Sequence, residues 1–191
     1  MLHLMPGDIA KRRFTADEYQ LMGQAGILSE DDRVELIDGE IVAMTPIGPR
    51  HGASVDRTNR VLVTAVGTSA IVRVQGSVRL DLFHEPEPDI VLLRPRADFY
   101  ASAHPGPADI LLVIEFAESS IDYDRDIKTH VYAKAEVVEY WLVDLNEDEV
   151  HVHVDPSNGV YRAATSYRRG QSLAPRSLPS CAISMLDLLG E

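Results

Sequence analysis

Hydrophobic and polar positions fall into patterns that change sharply from one segment of the chain to the next. Asp89-Ile90-Val91-Leu92-Leu93 and Asp109-Ile110 through Phe116 are unbroken runs of branched apolar residues, which predict short strands buried on both faces. Tyr123 to Ala135 instead has helical spacing. Ile127, Val131 and Ala135 form the stripe expected to pack, with Asp124, Lys128 and Tyr132 on a neighbouring face. Thr15 with Glu18 reads as a capping box for a first short helix, and Asp38-Gly39 as a tight turn between Leu36-Ile37 and Ile41-Val42. A second helix is expected from about His51 to Val66, stopped by Gly67. Further strands are expected near 70–81, at Glu139 to Leu145, and around His151 to Val154 and Gly159 to Arg162. The helix between the strands at 110–116 and 139–145 predicts a parallel crossover. The pattern therefore predicts an α+β fold, a mixed β-sheet flanked by helices. Residues 14–191 are expected to form a single domain, after a flexible N-terminal segment, residues 1–13. The Pro/Ser-rich stretch 174–180 reads as loosely packed, and Arg94 to Ala108 as a functional flap or the site of a short helix.

The ends of the two apolar strands carry the chemistry. Asp89 opens the first and Glu115 nearly closes the second, so antiparallel pairing brings both carboxylates to one end of the sheet. An isolated ionised acid at the end of a buried strand is costly to desolvate, and it neutralises, finds a partner or coordinates a cation. Two acids with a lysine nearby suit metal-assisted phosphodiester cleavage. Magnesium takes oxygen ligands and keeps several waters, so one or two carboxylates suffice to dock it against a phosphate. It can then activate water, while an ammonium stabilises the charge that builds on phosphorus. The plainer readings are a solvated Asp89 at a strand entry and Lys128 paired with Asp124 four residues earlier, a surface contact worth about 0.3–0.5 kcal/mol. Gln75 is a candidate for positioning water or phosphate, or else a polar alternate on a half-exposed strand.

These residues resemble the PD-(D/E)XK nuclease superfamily and, more closely, the Uma-two family of restriction endonuclease-like proteins. The resemblance rests on Phe14-Thr15-Ala16-Asp17-Glu18-Tyr19, Arg33 through Glu40, Glu87-Pro88-Asp89-Ile90, Val113-Ile114-Glu115, Ser120 through Asp124, Lys128, and Glu139 through Asp144. It spans roughly residues 14–162. It implies a restriction-endonuclease-like fold, with Asp89 and Glu115 as ligands of Mg2+ (Mn2+ as a substitute), Lys128 assisting the attacking water, and Glu35 as an accessory acid. The superfamily pattern has lysine two residues after the second acid, where this chain has Ala117; in the Uma-type pattern the lysine falls on the following helix, at Lys128. The family also tends to have glycine where this chain has Glu136, a departure confined to a turn.

Composition narrows the partners. The chain has 191 residues, 45% of them hydrophobic, enough for a real core, and one cysteine, Cys181, so no internal disulfide framework. No apolar run approaches the ~18 residues of a membrane span and no signal-peptide layout is visible, which makes cytoplasmic residence the expectation. The net charge of -12 opposes attraction to a polyanion. Its distribution softens that objection: residues 50–96 carry 7 basic and 5 acidic side chains, with Arg50, His51, Arg57 and Arg60 on or beside one helix. Phosphate-loop and dinucleotide glycine patterns are missing, Ser119-Ser120 lacks a nucleophile-elbow context, and His151 with His153 reads as a pair of exposed strand histidines rather than a zinc site. The expectation is a magnesium-dependent endonuclease acting on DNA, two-strand cleavage favouring a dimer. The alternative is a noncatalytic nucleic-acid-binding or assembly module that keeps the fold.

Overall fold

A computed structural model describes residues 11–29, 31–118 and 120–190. In chain order the elements are α1 (Ala16–Gln24), β1 (Val34–Ile37), β2 (Glu40–Ala43), α2 (Pro49–Val66), β3 (Ile71–Val74), β4 (Ile90–Leu93) and β5 (Ile110–Ala117). There follow α3 (Ile121–Tyr123), a π-helical turn at Asp124–Lys128, α4 (Thr129–Lys134), β6 (Glu139–Asp144), β7 (Glu149–Ser157), β8 (Val160–Arg168), β9 (Ser172–Leu173), β10 (Ile183–Ser184) and α5 (Met185–Leu189). Six strands form one mixed sheet in the order β3-β4-β5-β6-β7-β8, antiparallel throughout except for the parallel β5–β6 pair. The helical connection over 121–134 makes that crossover, as expected of a parallel link.

The apolar runs sit where their composition demands. Every residue of β4, β5 and β6 is buried, because both faces of the central strands are covered. Residues of one parity, among them Ile90, Leu92, Leu112, Ile114 and Trp141, face α2 and α5; the opposite parity, including Val91, Val113, Tyr140 and Leu142, packs against Val78, Leu80, Tyr100, Val131 and Tyr132. The predicted capping box forms at α1, with the Glu18 N–H donating to Thr15 Oγ1 and the Thr15 N–H to the Glu18 carboxylate. The predicted hairpin joins β1 to β2. Its turn needs glycine at 39: φ there is +73°, and a Cβ would stand 2.7 Å from the Cβ of Arg13.

Several expectations are corrected. The strand expected over 70–81 ends at Val74, because Gln75 takes a left-handed backbone (φ +46°) and the chain turns out of the sheet. The crossover helix does not pack through Ile127, which is 43% exposed. The π-helical turn rotates the register so that Asp124, Lys128, Val131 and Tyr132 face inward. The 174–180 stretch is held by turn hydrogen bonds from the Leu178 N–H to Pro175 O and the Cys181 N–H to Leu178 O, both 2.9 Å, and is bracketed by the β9–β10 pair. His153 is half-buried rather than exposed, its ring packed against those of Tyr140 and Tyr161, which also touch each other. The Arg94 to Ala108 connection follows β4 at the end remote from Asp89, so it does not cover the acids; a 3-10 turn at Pro107–Asp109 closes it. Residues 1–10 of the expected flexible segment lie outside the described residues, while the Arg13 guanidinium stacks over Phe83 and bonds to Asp38 O at 2.7 Å. Among the described residues no helix is long and apolar enough to cross a membrane.

Candidate active site

The site begins with strand register. Ile90 lies opposite Ile114, so Asp89 and Glu115 are the next pair along, and both are buried, at 6% and 3% exposure. The Asp89 N–H donates to Glu115 Oε2 at 3.2 Å, and the Phe116 N–H donates to Asp89 Oδ2 at 2.9 Å. Each carboxylate is thus fixed by the other strand's main chain.

The π-helical turn aims Lys128 into the same place. Its ammonium donates to Glu115 Oε1 at 3.0 Å and lies 3.3 Å from Glu35 Oε2 and 3.8 Å from Asp124 Oδ1. Tyr132, one turn further on, donates its hydroxyl to Glu115 Oε1 at 2.8 Å. Glu35 reaches the cluster from β1 and also accepts the Glu87 N–H at 3.3 Å, while Asp124 accepts the Ser120 hydroxyl. On the other side His51, in the first turn of α2, places Nε2 2.9 Å from Asp89 Oδ1. Glu35, His51, Asp89, Glu115, Asp124 and Lys128 line a cavity of about 290 Å³, together with the chain from Val42 to Gly48.

Charge balance decides how these groups ionise. Three buried carboxylates, Glu35, Glu115 and Asp124, lie within 4 Å of one buried lysine, and a fourth, Asp89, sits beside Glu115. Burial pushes the Glu115 carboxyl up to about 8, with Lys128 pulling it down and Asp89, Asp124 and Glu35 adding to the rise. Burial also raises Asp124, against the pull of Lys128. For Lys128 burial opposes the charge, but Glu115, Glu35 and Asp124 outweigh it and the net shift is upward, so the ammonium persists at any ordinary pH. Burial likewise works against charging His51, but the hydrogen bond to Asp89 and the negative charges of Asp89 and Asp124 together outweigh it, leaving that imidazole above its usual value. Among the described residues no three His, Cys, Asp or Glu side chains close up as a ready metal shell; the acids are instead spread around the ammonium.

Of the residues singled out in the sequence, Asp89, Glu115, Lys128 and Glu35 are brought together. Gln75 is not: its side chain lies off the cavity wall, and it touches the site through its main-chain N–H, which donates to Asp89 O at 3.0 Å. The basic side chains on α2 are engaged separately. Arg50 pairs with Asp148 at 2.7 Å, Arg57 donates to Ser54 at 3.0 Å, and His51 turns to Asp89. Sequence reasoning missed His51 and Tyr132 as site residues and read Asp124 only as a partner for Lys128. Asp124 and Tyr132 had a signal, each lying four residues from Lys128 on one helical face. His51 had none, since nothing in spacing links residue 51 to residue 89.

A mixed sheet flanked by helices, with acids and a lysine gathered at one strand end, defines a nuclease-like α+β protein. The chain belongs to the family described as "Uma2: Putative restriction endonuclease", whose model matches residues 16–186. Among solved structures it is similar to one described as "a putative nuclease belonging to DUF820 from Anabaena variabilis ATCC 29413", with a TM-score of 0.72 and 20% identity over 92% of this chain and 97% of that one. That likeness is of fold. No curated protein matches the sequence.

Proposed function

We propose that this protein is a divalent-cation-dependent endonuclease that hydrolyses DNA phosphodiester bonds. The observation that carries the reading is the meeting of Asp89 and Glu115 at one sheet end, joined at 3.2 Å, with the Lys128 ammonium 3.0 Å from Glu115. Asp89 and Glu115 would hold the cation, magnesium or manganese. The donors fit it: the buried carboxylates outnumber the one buried lysine, and hard oxygens beside open space suit an ion that keeps its waters. When bound, such an ion supplies positive charge toward phosphate oxygens and makes a water more acidic.

The chain's own groups do the rest. Lys128, permanently charged, acts as a donor and a fixed positive charge for the phosphate rather than as a base. The Tyr132 hydroxyl and the Asp89 N–H hold Glu115 from two sides, so its carboxylate is positioned before substrate arrives. Glu35 and Asp124 keep the ammonium centred between them. Two-strand cleavage from one site per chain calls for two copies acting together.

Plasmid and oligonucleotide cleavage should require magnesium or manganese and stop in chelator, and Asp89→Asn or Glu115→Gln, purified identically, should each lose about 100-fold or more. A second readout avoids contaminating nucleases: saturating magnesium or manganese should raise the unfolding temperature of the wild type and not that of Asp89→Asn. Equal cleavage by wild type and variants, or none by wild type on DNA and RNA with either metal, would favour a noncatalytic nucleic-acid-binding or assembly module.

A further inference from the structure

One cation on the wall of the acidic cavity has no task so far. Arg33 lines the same space of about 290 Å³ as Asp89, Glu115 and Lys128, and it immediately precedes β1. The β1–β2 ladder runs one step past Val34 and Ala43, since the Met44 N–H donates to Arg33 O at 2.8 Å. Residue 33 therefore keeps the strand's alternation and projects on the same side as Glu35, about 7 Å along the chain. Glu35 is buried and reaches Lys128, whereas Arg33 is half-buried and lies toward solvent, at the mouth. Among the described residues its guanidinium makes no hydrogen bond and has no carboxylate within 4.0 Å. Its charge still reaches across the cavity. After burial, the Arg33 charge is what opposes protonation of His51, and it is the leading charge that offsets the burial of the Glu87 carboxyl.

The charges around the cavity give this arginine its meaning. Asp89, Glu115, Glu35, Asp124 and Glu118 border the space, against Lys128 and Arg33. A phosphodiester brings a further negative charge. Lys128 already has Glu115, Glu35 and Asp124 at 3.0, 3.3 and 3.8 Å. A guanidinium carries five donors in a planar fork that matches two phosphate oxygens, and here it can take them without first breaking an ion pair. We propose that Arg33 docks a phosphodiester group of the DNA strand at the mouth of the cavity, by paired hydrogen bonds to its two non-bridging oxygens. This rests on the nuclease reading and states how that site holds its substrate. A contact to backbone phosphate positions the strand without reading its sequence. It also supplies attraction at the one place where a chain of net charge -12 needs it.

The test is binding of two labelled duplexes of unrelated sequence, followed by anisotropy over a range of salt concentrations, in chelator and again in calcium, which takes carboxylate oxygens as magnesium does. Arg33→Gln should weaken both duplexes by the same factor, about tenfold, and make the slope of log affinity against log salt shallower by about one. Arg33→Lys should restore the slope and only part of the affinity, since the charge returns without the fork. Arg162→Gln removes an equal charge from an exposed position on the edge strand β8, three strands from β5, and should bind as the wild type does. In magnesium, Arg33→Gln should raise KM about tenfold and leave kcat within about threefold, the pattern of a group that holds substrate equally before and during reaction. The unfolding midpoint should not fall, because no ion pair is lost. Wild-type affinity and slope in Arg33→Gln, an equal loss in Arg162→Gln, a fall in kcat at unchanged KM, or no DNA binding by the wild type each overturn the proposal. Arg33-dependent binding in a protein that cleaves nothing supports the docking role and counts against the hydrolytic reading alone. Cleavage that is lost in Glu115→Gln and indifferent to Arg33→Gln does the reverse.

Discussion

Glu136 shows how a single residue departs from its surroundings. It follows α4 at φ +59°, in the left-handed position that closes many helices and that glycine occupies without strain. Glu136→Gly should therefore stabilise the fold by about 0.5–1 kcal/mol, the relief of left-handed strain exceeding the added freedom of the unfolded chain. Urea unfolding would measure it, and a destabilised variant would refute the argument. Lys128 lies at the other extreme. Removing one partner of a buried ion cluster strands the others, so Lys128→Ala should cost about 3–5 kcal/mol, and any folded fraction should lose turnover more than metal affinity. Side chains on a strand or on one helical face were legible before any coordinates: Asp89 and Glu115 follow from antiparallel pairing, and Asp124 and Tyr132 share a face with Lys128. His51 was not, because its contact with Asp89 depends on how α2 lies on the sheet, which is a matter of tertiary packing.

At the level of elements, continuous apolar runs were read correctly because strands covered on both faces tolerate nothing else. Segments governed by backbone irregularity were misread. A regular 3.6-residue period put Ile127 in the core, and the π-helical turn put it in solvent, so Ile127→Gln should change stability by no more than about 0.5 kcal/mol. Thermal unfolding of this variant tests the rotation directly. The outer strands offer a pH prediction. Burial, together with the nearby His151, holds the His153 imidazole below its ordinary value of 6.5. The rings facing it are Tyr140 from β6 and Tyr161 from β8, and neither supplies a counter-charge. The folded state thus takes up this proton less readily than the unfolded chain. Its contribution to stability is complete above about pH 6.5 and is lost as the pH falls below that toward the folded value. His153→Phe should accordingly lose less stability between pH 7.5 and 5 than the wild type does, and superimposable pH profiles would show that the histidine is not responsible.

For the whole molecule, charge sets two properties against each other. A net charge of -12 repels itself in the folded state, and it repels nucleic acid except where arginines gather locally. Salt screens both effects over a Debye length of about 10 Å at 0.1 M. Raising sodium chloride from about 10 to 200 mM should therefore increase the unfolding temperature while weakening DNA binding and cleavage. The buried cluster should contribute little to either trend, because Glu115, Lys128 and Glu35 are shielded from ions in solution. This separates global from local electrostatics: an Asp89→Asn variant should keep the wild-type salt dependence of stability. If salt instead lowered the unfolding temperature, surface ion pairs such as Arg50–Asp148 and Arg176–Asp155 would outweigh the net repulsion, and the acidity of the chain would have to be explained by something other than a compromise between stability and substrate attraction.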